Sequence, residues 1–129
     1  MKRWLRDDTG SAIAEFVMVT ALLTVLTLSV IQLALALLIR NTIVDAAAEG
    51  ARFGALADNS LPDGVARTTA LIEAALAPTY ARDVSATTGS YLGHPAIIVT
   101  VRAPLPVFGL IGIEGGLEVS GHAPLEILV

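Results

Sequence analysis

The sequence contains no cysteine. Disulfides, thiol chemistry and cysteine-based zinc sites are therefore excluded. Aromatic residues make up only 5% of the chain, and lysine occurs once, at Lys2. The formal net charge is −4, and no basic patch or aromatic stacking platform follows the first apolar run. That balance argues against a nucleic-acid partner. No Gly-x-Ser-x-Gly elbow and no Gly-rich phosphate loop is present. His94 and His122 each lie beside a glycine and shortly before a proline, as turn or strand-end residues do. No second ligand can be named for either, so they read as solvated histidines. The expectation is a protein with no catalytic residue, no metal site, no cofactor and no small-molecule substrate.

What the chain has instead is apolar surface. Its hydrophobic fraction is 54% and its mean hydropathy is +0.72. The excess is concentrated between Phe16 and Ile39, 24 residues without a charge, in which Gln32 is the most polar side chain. A bilayer core is about 30 Å thick and a helix rises about 1.5 Å per residue, so this run is long enough to span. The 129 residues allow one compact domain at most. From Arg40 to Val129 the chain carries 5 Arg, 9 Asp or Glu and most of its glycine and proline. That part is enough for a small core, marginal without partners.

Lys2, Arg3 and Arg6 precede the apolar run. The positive-inside tendency places the N-terminus in the cytoplasm and the C-terminal part outside. The run is too long for the apolar core of a cleaved secretory signal. A plain signal anchor fits length and charge and leaves Glu15 unexplained, except as a carboxylate snorkelling to the interface. Glu15 stands at the start of the run, between Ala14 and Phe16. A carboxylate at the edge of hydrocarbon is costly unless it is paired. A cut after Gly10 would supply the partner, because Ser11 would then carry an α-amine four residues before Glu15, on the same helix face. The amine would also mark the positive end of the helix dipole, where a carboxylate is favoured.

The segment Gly10-Ser11-Ala12-Ile13-Ala14-Glu15-Phe16 resembles the type IV prepilin processing site. The resemblance implies cleavage between Gly10 and Ser11, with Glu15 as the fifth mature residue. Asp7 and Asp8 depart from the family's usual basic leader.

Beyond the apolar run, Ile43, Val44, Ala47, Ala48 and Ala51 recur at helical spacing, which predicts that the helix continues. Glu49 and Arg52 are placed to pair three residues apart. Ala46, Gly50 and Gly54 form a ridge of small residues, which permits close approach of another backbone. The ridge fits packing on the chain's own sheet and contact with another subunit equally well. The run Arg40 to Leu56, with Glu49-Gly50-Ala51-Arg52 at its core, resembles the TadE-like family, pseudopilins of the tight-adherence (Tad) pilus machinery. Phe16 stands where that family often has tyrosine after the glutamate.

Asp58 to Gly64 is rich in turn residues. Ser60 or Asn59 can cap a second helix with Pro62 in its first turn, running to about Ala77 before Pro78. Val84–Thr88 is a short strand candidate, Gly89-Ser90 a turn, and Ala96–Arg102 the clearest strand. Pro104-Leu105-Pro106 reads as a break and Gly115-Gly116 as a turn. Leu117–Val129 reads as a last strand interrupted by Pro124. The apolar segment Val107–Ile113 reads as a cap on the core, with a surface touching membrane or partner as the alternative.

The predicted fold is α+β. A long transmembrane helix continues into an Ala-rich helix, followed by a second short helix and a three-stranded antiparallel meander. The predicted divisions are a leader at 1–10, the helix at 11–57 and an extracytoplasmic head at 58–129. The resemblance implies a minor pilin or pseudopilin of a Tad-type pilus in the cytoplasmic membrane. Its partners would be a prepilin peptidase, other pilin subunits, the assembly platform and lipid. The alternative is an uncleaved single-pass protein that tethers or regulates an envelope complex.

Overall fold

The structure, a computed structural model, describes residues 8–107 and 111–126. It consists of α1 (Asp8–Gly54), α2 (Leu61–Ala75), a 3-10 turn (Pro78–Ala81), β1 (Asp83–Tyr91), β2 (His94–Val107) and β3 (Ile111–Pro124). The strands form one antiparallel sheet in the order β1-β2-β3. This is the α+β arrangement predicted from the pattern.

α1 has two halves with different surroundings. In its N-terminal half large apolar side chains face outward all round, such as Phe16 at 72% and Leu22 at 68% exposure. An all-apolar helix surface of this length suits a membrane and not water. Two of its hydroxyls are satisfied within the helix. Thr24 donates to the Thr20 carbonyl and Ser29 to the Val25 carbonyl, both at 2.8 Å.

In the C-terminal half two ridges at four-residue spacing turn inward. Ile39, Ile43, Ala47, Ala51 and Ala55 are buried and join the core of the sheet. Ala46, Gly50 and Gly54 form the neighbouring ridge, also buried. The last turns of α1 are therefore the central element of the head.

α1 ends where Asn59 Nδ2 donates to the Phe53 carbonyl at 2.7 Å. One residue later Ser60 opens α2. Its backbone N–H and its hydroxyl both donate to the Asp63 carboxylate, at 2.7 and 2.8 Å. Pro62 sits in the first turn, where its missing N–H costs nothing. α2 turns Gly64, Thr68 and Ile72 inward.

The sheet alternates as a half-buried sheet should. Ile97, Val99, Val101 and Ala103 of β2, with Leu117, Val119 and Ala123 of β3, point into the core. Thr100, Arg102, Glu118, Ser120 and His122 lie on the other face. There Thr100 and Ser120 share a hydrogen bond at 3.1 Å, and Arg102 Nε donates to Glu118 at 3.2 Å. Full burial of a side chain such as Ile43, Ile72, Val99 or Val101 contributes about 1.5–3 kcal/mol.

Three local expectations are corrected. The first hairpin does not turn at Gly89-Ser90. Both residues belong to β1 and pair with Ala96 and Pro95. The turn lies at Leu92-Gly93, where φ is 54° and 82°, the paired positive values of the tight hairpin turn. Gly89 serves another need: a Cβ there would stand 2.8 Å from Ile98 Cδ1.

Pro104 does not end β2, which continues to Val107. The pairing instead shifts between Ala103 and Leu105. Pro104 sits at that irregularity, where no ladder N–H is needed. Gly115-Gly116 is likewise no turn. It lies within β3, in the slack between Ile113, opposite Leu105, and Leu117, opposite Ala103. Pairing of Val107 with Ile111 closes the arms of the second hairpin. For the apolar segment Val107–Ile113, the predicted burial falls outside the described residues. The chain after Pro124 is tied back by Leu125 N–H to the Pro95 carbonyl and Glu126 N–H to the Ala55 carbonyl.

Candidate processing and assembly site

α1 begins at Asp8 and runs unbroken through Gly10, Ser11 and Glu15. Gly10, Ser11 and Glu15 are all exposed, and nothing lies within 4 Å of the position a Gly10 Cβ would take. The Gly10–Ser11 peptide is thus exposed among the described residues. Glycine weakens a helix by about 1 kcal/mol relative to alanine, so this is the place where the first turns unwind most readily.

Glu15 is one turn beyond Ser11, at about 6 Å along the axis. In the uncut chain the Ser11 nitrogen is a peptide amide and carries no charge. The ion pairs among the described residues are Arg52–Glu49 at 3.8 Å and Arg102–Glu118 at 3.2 Å, both in the head. Glu15 therefore enters the apolar helix without a cationic partner among the described residues.

The small-residue ridge has a definite neighbour. A Cβ on Gly50 would overlap the Thr68 hydroxyl and stand 2.8 Å from the Gly64 carbonyl oxygen. A Cβ on Gly54 would stand 3.1 Å from Gly64 Cα. Of the two uses left open by the sequence, the sheet does not occupy this ridge at Gly50 and Gly54. α2 of the same chain does, and the sheet packs on the adjacent ridge through Gly121, which abuts the Ala47–Ala48 peptide. Ala46 is buried at the lower end of the α1–α2 seam. Beside it Thr42, Asp45, Glu49, Arg52, Leu71 and Ala75 line an open groove of about 480 Å³.

Sequence reasoning missed Gly64, Thr68 and Gly121 as partners in these contacts. Gly64 carried a signal, a glycine inside a helical pattern just after the cap. His122 is exposed as expected, and it stacks on Tyr91 with ring centroids 4.7 Å apart. Among the described residues no three His, Asp or Glu side chains gather as a metal site would require.

A family model described as TadE-like protein matches residues 10–52. Over these residues the chain is similar to that family. The TadE-like segment starts at Gly10, immediately before the candidate cut, and ends at Arg52, within the ridge that receives α2. It contains Ser11, Glu15, the whole apolar run and the Glu49-Gly50-Ala51-Arg52 core. The match associates the chain in general terms with Tad pilus components. The remainder of the head lies beyond it. No curated protein and no solved structure matches the chain.

Among the described residues one helix, at the N-terminal end, is long and apolar enough to cross a membrane, which suggests a single-pass membrane protein.

Proposed function

We propose that this chain is a minor pilin or pseudopilin of a Tad-type pilus, a substrate and structural part with no chemistry of its own. The precursor inserts with its N-terminus in the cytoplasm and its head outside the cytoplasmic membrane. A prepilin peptidase cuts between Gly10 and Ser11. The mature helix stays in the bilayer until assembly, when it packs among other pilin subunits on the assembly platform.

The observation that carries this reading is Glu15, exposed at the start of an apolar helix and without a cationic partner among the described residues. Cleavage after Gly10 creates the missing cation one turn away. In the low dielectric of packed helices, a carboxylate and an amine of neighbouring subunits attract strongly, while an unpaired carboxylate is costly. The pair would fix the axial register between subunits. The TadE-like match over residues 10–52 supports the same assignment, because it covers the cut and the anchor together.

N-terminal sequencing of protein extracted from membranes tests the reading. Ser11 as the first residue is expected. Recovery of Met1 from cells with an active prepilin peptidase would leave an uncleaved membrane tether as the correct description.

A further inference from the structure

β1 is an edge strand, and its outer side is a regular ladder of backbone groups. The two-residue turn at Leu92-Gly93 makes Tyr91 and His94 a hydrogen-bonded pair. Such pairs alternate along an antiparallel ladder, so Gly89, Thr87, Ser85 and Asp83 also turn their N–H and C=O toward β2. Pro95 agrees. It stands opposite Ser90, in a pair that exchanges no hydrogen bond, and its carbonyl accepts from Leu125 on the other side. The N–H and C=O of Val84, Ala86, Thr88 and Ser90 therefore point away from the sheet. Among the described residues, no backbone hydrogen bond from a turn, loop or cap reaches any of these four.

The two edges of the sheet differ. By the same alternation, Leu117, Val119, Gly121 and Ala123 of β3 face β2, and Glu118, Ser120, His122 and Pro124 turn outward. Pro124 offers no N–H, Glu118 carries a charge, and the pairing of β3 with β2 shifts between Ala103 and Leu105. These are devices that keep an edge from accepting another strand. β1 has none of them along its open ladder. Its nine pairs run without a shift from Asp83–Arg102 to Tyr91–His94, and from Val84 to Tyr91 it carries no charge and no proline.

Such an edge fits one kind of partner, an extended polypeptide. Main-chain hydrogen bonds supply affinity in that mode, and side chains at alternate positions supply specificity. The open ladder from Val84 to Ser90 is about 20 Å long, so the added segment needs about seven residues. Its middle has to be uncharged, because β1 offers no counter-charge there. The β1 of a second anchored copy does not fit antiparallel. Gly121 lies against the Ala47–Ala48 peptide and Glu126 N–H reaches the Ala55 carbonyl at 2.9 Å, so β3 and α1 run the same way. β1 is parallel to β3. Antiparallel pairing of two β1 strands would turn one α1 against the other, and the two could not enter one bilayer.

We propose that the outer edge of β1 is a docking site for an extended, uncharged segment of another protein, which adds antiparallel to β1 as a fourth strand. The inference goes beyond the pilin reading and is independent of cleavage at Gly10. It uses α1 as a span only to exclude a second copy.

A free peptide of β1's own sequence, Asp83–Tyr91, is the probe. Laid antiparallel about Thr87, it puts Val84 opposite Ser90 and Ala86 opposite Thr88, and it has no anchor to reverse. Amide exchange is followed residue by residue by NMR in the full-length protein in detergent micelles. The expected result is slowing at Val84, Ala86, Thr88 and Ser90, about tenfold when peptide exceeds its dissociation constant about tenfold. Ser85, Thr87 and Gly89, already bonded to β2, should not change. Thr88→Pro removes one outward N–H and leaves the pairing with β2 intact, so it should abolish the response. A peptide N-methylated at Ala86 and Thr87, blocked on both edges, should be inert, and it makes the same test if Thr88→Pro does not fold. No slowing at millimolar peptide would overturn the inference. So would an equal response to the N-methylated peptide, which would place binding elsewhere. Slowing at the four amides before peptide is added, lost on dilution, would assign the edge to pairing between copies and overturn it equally.

Discussion

Gly50 of α1 and Gly64 of α2 meet backbone to backbone, so closely that a Cβ on Gly50 would stand 2.8 Å from the Gly64 carbonyl oxygen and overlap the Thr68 hydroxyl. Thr68 is fully buried, and its hydroxyl donates to that same Gly64 carbonyl at 2.8 Å. The contact is thus a three-residue lock between two helices. Gly50→Ala gains about 1 kcal/mol of helix propensity but inserts a methyl where overpacking costs about 1–3 kcal/mol. Net destabilisation of the head is expected, read as a lower thermal midpoint in detergent. The double variant with Thr68→Ala should recover part of the loss, because the two substitutions act on one contact.

Gly121→Ala should be more harmful than Gly50→Ala. Its methyl would collide with the Ala47–Ala48 peptide, and backbone cannot rotate away as a threonine side chain can. The sheet would have to lift from the ridge that includes Ile43 and Ala51. Greater protease sensitivity of the head than in Gly50→Ala is the expected measurement.

The Arg102–Glu118 pair offers a contrast. The two residues face each other across β2 and β3 at 3.2 Å, but their side chains are 58% and 55% exposed. Exposed pairs contribute about 0.2–1 kcal/mol and weaken with salt. Glu118→Gln should shift stability little, and the shift should vanish in high salt. A change as large as that of Gly121→Ala would mean that the outer face of the sheet is covered in the native assembly.

The features legible in the sequence are those set by neighbours along the chain. Ser60, Pro62 and Asp63 announce the start of α2 within four residues. Gly10, Ser11 and Glu15 stand at fixed spacing on one helix, so the candidate site needed no tertiary structure to be read. The misplaced turns have the opposite character. Gly89 looked like a turn residue, yet what requires glycine there is Ile98 on the next strand. Pro104 looked like a break, yet slack opposite it in β3 absorbs the irregularity. The ridge of Ala46, Gly50 and Gly54 showed that something comes close, while the identity of that neighbour depended on Gly64 and Thr68 across a loop.

Gly10 tests recognition separately from folding. No described residue lies within 4 Å of the position its Cβ would take, so Gly10→Leu should leave the head unchanged in circular dichroism and protease resistance. The same substitution places a bulky side chain beside the peptide proposed to be cut. Accumulation of full-length precursor on immunoblots is the expected outcome in cells with an active peptidase. Normal processing of Gly10→Leu would show that the cut, if any, lies elsewhere.

Glu15→Ala separates processing from assembly. Glu15 is exposed and four residues beyond Ser11, so its removal leaves the peptide at Gly10 and the fold of the head untouched. Cleavage should proceed nearly as in the parent chain. What disappears is the carboxylate that would meet the new amine of Ser11, and with it the proposed force between adjacent helices. The mature protein should accumulate in the membrane and fall in sheared filament fractions. Glu15→Gln sharpens the point, because it keeps shape and hydrogen bonding and removes only the charge. If Gln restores assembly while Ala does not, the side chain acts as a hydrogen-bonding wedge and the charge-pairing mechanism is wrong.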